Sequence, residues 1–214
     1  MFLNYSTKSK KLLLSLTVIL FSILILSCSK DEKKSEQGTI YESYIDATSA
    51  QMWIYFSFSN NRVVGEGDDT QESLDLWSNR GDWDIALRRY NIKTNSGLST
   101  KIGAEGGVYT YDSKTEFTSI NKTPSSASYE VDKEIITVGM GGESRIVMSS
   151  AVSVLFKKDS DGQMIMPPVY IKPPVYLFRD ATGERFYKVE FIQYLDNSNK
   201  TGHIKFKWQE IFKN

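Results

Sequence analysis

Thioether sulfur is the soft, uncharged donor that this chain offers most freely. Four of its six methionines, Met140, Met148, Met164 and Met166, fall between Val138 and Tyr170. Such sulfur suits soft and borderline transition metals better than hard cations. Met140 sits among Gly139, Gly141 and Gly142, where missing Cβ atoms let backbone come close to a flat ligand. Met166 is followed by Pro167 and Pro168, which stiffen the segment. The commoner use of methionine is as adaptable core filler, and both readings stand at this point.

The other chemistry-bearing residues are sparse. The chain has one cysteine, Cys28, and one histidine, His203. A Cys/His zinc site, a disulfide framework and any His-dependent nucleophile pair away from His203 are excluded. Asp82 and Asp84 are two apart and would share a strand face, but exposed strand acids more often serve solvation. Lys101 to Gly107 is glycine-rich but lacks the Gly-Lys-Ser/Thr of a phosphate loop and no helical pattern follows it. Arg80-Gly81-Asp82 reads as a tight turn. No catalytic residues emerge, and the chain reads as a binding protein, not an enzyme. The 214 residues carry 26 basic and 26 acidic side chains. Residues 1–27 hold three of the bases and no acid, leaving 23 against 26 from Cys28 on, a net of −3. Nothing in that balance calls for nucleic acid.

The elements that must position these residues follow in order. Residues 1–27 read as a lipoprotein signal peptide: Lys8, Lys10 and Lys11 precede the apolar Leu12–Leu26, which is shorter than the roughly 20 residues of a membrane-spanning helix. Ile25-Leu26-Ser27-Cys28 resembles a lipobox, making Cys28 the lipidation site. Residues 28–39 form a charged, lipidated tether. Lys30-Asp31-Glu32 resembles the signal that exports lipoproteins of Bacteroidetes to the cell surface. Residues 40–214 form one domain. Gln51 to Ser59 alternates, with Met52, Ile54, Phe56 and Phe58 on one apolar face and Trp53, Tyr55 and Ser57 on the other. Gln71 to Asn79 suits a short helix capped by Asp69. Trp83 to Ile92 and Val108 to Tyr111 read as strands, and Phe117 to Ser128 as a loop. Glu134 to Val138 leads into the methionine stretch. There, Asp159-Ser160-Asp161-Gly162 turns one strand into another that carries Met164 and Met166. Val175–Phe178, Arg185–Leu195 and His203–Ile211 close the chain. In the last of these Ile204, Phe206 and Trp208 share one face, which leaves His203 with Lys205 and Lys207 on a charged, wet face. Short strands with at most one helix mean an all-β domain.

The order and spacing of several pieces resemble the HmuY-like haem-binding lipoproteins of Bacteroidetes over roughly residues 40–211. The pieces are Trp83-Asp84-Ile85-Ala86 with Asn95-Ser96-Gly97, then Gly106-Gly107, Met166-Pro167-Pro168, and Val175-Tyr176 through Gly183, Tyr187-Lys188, Tyr194, Gly202 and Phe206. The resemblance implies an all-β fold of stacked antiparallel sheets in a single domain with little helix. It also implies a haemophore-like carrier at the outer membrane, exposed on the cell surface. Such a carrier captures haem b (iron protoporphyrin IX), passes it to a TonB-dependent outer-membrane receptor, and allows a haem-linked dimer. The family's best-known member grips iron between two histidines. One chain with only His203 cannot do that, whereas other members look methionine-based.

Two sulfurs holding opposite faces of one haem must point at each other. Met164 and Met166, two apart on a presumed strand, point to the same side. One ligand then comes from Met164 or Met166 and the other from Met140 or Met148. Met140 with Met166 is the favoured pair. Met148 alternates with Ile146 and Ser150 like a core residue, and Met52 also reads as core. Neutral thioether favours ferrous haem. Tyr109, Tyr111, Tyr170 and Tyr176 are available to stack, and Arg145 or Lys172 to meet propionates, though strand packing and solvation explain these six as well. The alternative reading is a surface lipoprotein of the same fold that binds a glycan or a partner protein without haem.

Overall fold

In the closing strand, every second residue from Ile204 to Trp208 is apolar, and these side chains do enter the core. That strand organises the larger of three sheets in the computed structural model. The structure describes residues 38–139, 142–152, 154, 156–166 and 169–214. They fall in one compact unit, Gln37–Asn214. The expected signal peptide over residues 1–27 and the expected lipidation site Cys28 lie outside the described residues.

Among the described residues there are eleven strands and one α-helix. Strands β1 (Tyr41–Asp46), β2 (Trp53–Ser57) and β3 (Arg62–Gly67) precede helix α1 (Gln71–Ser78). Then come β4 (Ile85–Arg88), β5 (Asn91–Thr94), β6 (Gly107–Thr110), β7 (Lys133–Gly139) and β8 (Gly142–Met148). The last three are β9 (Tyr176–Arg179), β10 (Phe186–Leu195) and β11 (Thr201–Ile211). A five-stranded sheet runs β1-β11-β10-β9-β6, a four-stranded sheet runs β3-β2-β4-β5, and β7 and β8 form a separate ribbon. All strand pairs are antiparallel. The fold is all-β with little helix, as expected.

The two larger sheets pack face to face through rings. Phe56 and Phe58 at one sheet meet Phe206, Tyr187 and Trp208 of the other, with centroids 4.7–5.5 Å apart for the closest pairs. Both sheets are also covered on their outer faces. Trp53, Tyr55 and Ala86 pack under Trp77 of α1, Trp83 and the ribbon residues Ile135 and Met148. Leu177, Phe186 and Ile211 pack under Phe117, Ile120 and Val175. The alternation at Gln51–Ser59 thus supplies two buried faces, not one.

Local chemistry explains the smaller departures. The cap of α1 is Thr70, whose side chain accepts from the Ser73 N–H. Asp69 is instead occupied by Trp53 Nε1 at 2.9 Å and Arg88 at 2.5 Å. Trp77 can lie flat on β3 because Gly65 and Gly67 leave room there; a Cβ at either would collide with its ring. Trp83–Ile92 is a tight hairpin, β4 and β5, not one strand. Its turn holds Arg89 at φ 53° without a glycine or asparagine to signal it. The Arg89 N–H donates to the Ala47 carbonyl, which pins that turn to β1's end.

Candidate functional site

The methionines are distributed over very different surroundings. Gly139 of β7 pairs with Gly142 of β8; Met140, between them in sequence, lies outside the described residues. Met148 ends β8 and is 2% exposed, packed with Trp53, Tyr55, Trp77 and Trp83. Its sulfur cannot reach a ligand unless that aromatic cluster opens. Met164 is half-buried against the main core and bridges Lys158. Met166 is 72% exposed. Met52 is half-buried ahead of β2.

The segment carrying Met164 and Met166 runs between β8 and β9 and is held differently from the sheets. Its turn forms at Asp159–Gly162, as expected, with the Asp159 N–H donating to Gln163 O and Gly162 N–H to Asp159 O. Beyond the turn there are only isolated bridges, Lys158 with Met164 and Phe156 with Tyr170. The expected second strand is therefore not regular. That is why Met164 and Met166, two residues apart, differ so much in burial. After Met166 come exposed Val169, Tyr170 and Ile171. Tyr170 lies against Phe156 at 4.8 Å, and Phe156 meets Tyr90 and Tyr194 edge-on. Lys172 reaches Glu190 of β10 at 3.8 Å, which ties the end of this run to the large sheet. A cleft of about 330 Å³ opens between β7 residues Lys133–Ile136 and the turn residues Asp161 and Gln163. That volume is at the low end of the roughly 300–1,000 Å³ of small-molecule sites.

One exposed thioether beside three accessible apolar side chains, Val169, Tyr170 and Ile171, can shield one side of a flat, apolar metal complex, because the sulfur is neutral and covering the apolar neighbours removes them from water. Of the six stacking and propionate candidates, Tyr170 and Lys172 stay accessible. Tyr176 is core, Tyr109 and Tyr111 pack on each other at 5.1 Å in the outer cluster of the large sheet, and Arg145 is paired with Glu134 and Glu143. Among the described residues no group of three His, Cys, Asp or Glu side chains converges as a metal site.

His203 is not on a wet face. It is 9% exposed; its Nδ1 lies 2.7 Å from the Tyr44 hydroxyl and its Nε2 3.5 Å from Asp196. Tyr44 of the neighbouring β1 and the turn before β11 cover it, a cross-strand effect that period 2 along β11 does not reveal. Asp82 and Asp84 do not act as a pair either. Asp82 binds Arg80 through both oxygens, whereas buried Asp84 accepts the Phe58 N–H at 2.7 Å. Desolvation pushes Asp84 up to about 6.

The recurrent pieces of the sequence prove to be structural. Trp83 Nε1 donates to Trp77 O, and the Asn95 side-chain amide donates to Arg80 O and Trp83 O. Gly97 stands at φ 51° against Asp132, where a methyl group would overlap the Asp132 carbonyl. Asp132 is fully enclosed and accepts from the Thr94 N–H, Thr94 Oγ1 and Ser99 Oγ at 2.6–3.0 Å. Lys188 is buried and donates to Phe117 O and Ile120 O, fastening the outer loop to the large sheet. Sequence alternation missed the buried lysines Lys93 and Lys188 because the layers that cover them come from distant segments.

Comparison with known proteins agrees with this architecture. The model of the HmuY protein family matches residues 49–208. A candidate lipoprotein from Bacteroides fragilis superposes with a TM-score of 0.59 at 18% identity, covering 81% of this chain and 91% of its own. A candidate HmuY-like haem-binding protein from Bacteroides vulgatus gives 0.53 at 22% identity, over 79% and 90%. The apo form of an HmuY analogue from Tannerella forsythia gives 0.51 at 19%, over 82% and 98%. No curated protein matches the chain.

Proposed function

The chain belongs to the HmuY protein family, and from that premise we propose that it is a haem-binding, haemophore-like surface lipoprotein. It captures iron protoporphyrin IX and passes it to a TonB-dependent outer-membrane receptor. Met166 carries this reading: a thioether 72% exposed, followed by exposed Val169, Tyr170 and Ile171. A large apolar residue left in water at the start of an apolar run suits a ligand surface better than core filling.

When bound, haem supplies an iron that accepts neutral sulfur, with the ferrous state favoured. Met166 and Met140 would hold the iron, with Met164 as the alternate to Met166. Met148 is the weaker alternate, because its release would cost core packing. Val169, Tyr170 and Ile171 exclude water from the apolar edge. The protein is a carrier, so it holds no catalytic residues. Cys28 bears the lipid, and the charged tether sets the domain off from the outer membrane at the cell surface.

The test is a haem titration of residues 29–214, followed by visible absorption in air and after dithionite. Saturable binding, with a Soret band that sharpens on reduction, supports the carrier. A spectrum identical to free haem in both redox states moves the function to a glycan- or protein-binding lipoprotein, for which the same exposed run is the contact surface.

A further inference from the structure

A cavity of about 180 Å³ lies between α1, the Gly97–Ser99 turn and β8, and no described methionine lines it. Its walls are mostly apolar: Tyr55, Trp77, Trp83, Leu74, Leu98 and Val147. Tyr55 and Trp77 stack at 3.7 Å, and Trp83 stands edge-on to Tyr55 at 4.9 Å. Gln71, Asp75, Lys101 and exposed Leu98 also line it, and Lys101 is paired with Asp75. Lys93 of β5 lines the cavity while being only 4% exposed.

Lys93 stands apart from the other buried lysine of the sheets. Lys188 has two carbonyl acceptors. The Lys93 ammonium rests 4.2 Å from the Trp53 ring centroid, and among the described residues no acceptor hydrogen-bonds it. The carboxylates around it are engaged elsewhere. Asp69 is held by Trp53 Nε1 and Arg88, and Asp132 by Thr94 and Ser99. Arg88 also lies over the Trp53 ring, at 4.3 Å. An ammonium set in a mostly apolar wall is stabilised by a ligand that brings a charged acceptor to it. Burial holds Lys93 down to about 8, so it remains mainly charged at neutral pH. The Lys158 amine is buried without a partner, but it lines none of these cavities.

We infer that this cavity is a binding site for a small organic carboxylate with a single ring or short apolar chain, its carboxylate on Lys93 and its apolar body against Trp77, Leu74 and Val147. The size is right: a cavity of about 150 Å³ accommodates one benzene ring. The inference makes no use of Met140, Met164 or Met166.

Benzoate is the probe, with benzyl alcohol as its uncharged counterpart. Both are titrated by calorimetry into the chain from Ser29 on, which contains every element described. Benzoate should bind saturably and at least tenfold more tightly than benzyl alcohol. Lys93→Met should weaken benzoate at least tenfold and leave benzyl alcohol unchanged. Should that variant not fold, Leu98→Trp decides: its exposed site tolerates the change, and the ring should block the cavity to both probes. The inference is overturned by no saturable benzoate binding, by equal affinity for the two probes, or by undiminished binding in Leu98→Trp.

Discussion

The turn at Asn95–Gly97 and the segment from Ser149 to Pro174 lie in one domain but are built on opposite terms. Around Asn95, Asp132 and Trp83 almost every polar group has a partner from a distant part of the chain, and the rings are buried. In the methionine-bearing segment, isolated bridges replace ladders, and large apolar side chains face water. The first arrangement tolerates little change, because each substitution strands a buried group or leaves a cavity. In the second, the water-facing side chains of Met166, Val169, Tyr170 and Ile171 can change without loss of the fold, whereas Val152, Val154 and Phe156 enter the core.

The contrast can be broken by substitutions on each side. Trp83→Ala removes a ring from the outer core and should cost about 3–5 kcal/mol, read as a lowered midpoint in urea. Met148→Ala should cost about 2–5 kcal/mol in the haem-free protein, which marks that methionine as scaffold; a haem-free stability equal to wild type would return it to the ligand candidates. Asp84 gives a pH signature. Its folded value of about 6 stands above the ordinary 3.8, so between them the folded state keeps a proton that the unfolded state has released. The contribution is full below about pH 4 and is lost as pH rises through about 6. Asp84→Asn should flatten that fall, by on the order of 2–3 kcal/mol, in urea melts at pH 4 and pH 7. Met166→Ala should change haem-free stability by less than about 0.5 kcal/mol, because the side chain is already in water.

The sequence shows the scaffold well where one strand decides its own burial. The burial of Ile204, Phe206 and Trp208 and the core character of Met148 all follow from alternation. It fails where burial is imposed by another element. His203 is covered by Tyr44 from β1, and Lys188 by the loop at Phe117–Ile120. The hairpin at Arg89 was hidden because its left-handed residue is an arginine held by the Ala47 carbonyl. In the candidate site, the Asp159–Gly162 turn was legible. The separation of Met164 from Met166 was not, because it depends on a strand that never becomes regular. Lys93 was equally hidden, since its cavity is assembled from α1, β5 and β8.

The most direct test of the central claim is the dithionite-reduced haem spectrum of Met166→Ala beside wild type. Wild type should give a sharp reduced Soret band, and Met166→Ala, equally stable without haem, a weakened and altered one. A reduced spectrum in Met166→Ala that coincides with wild type would contradict it.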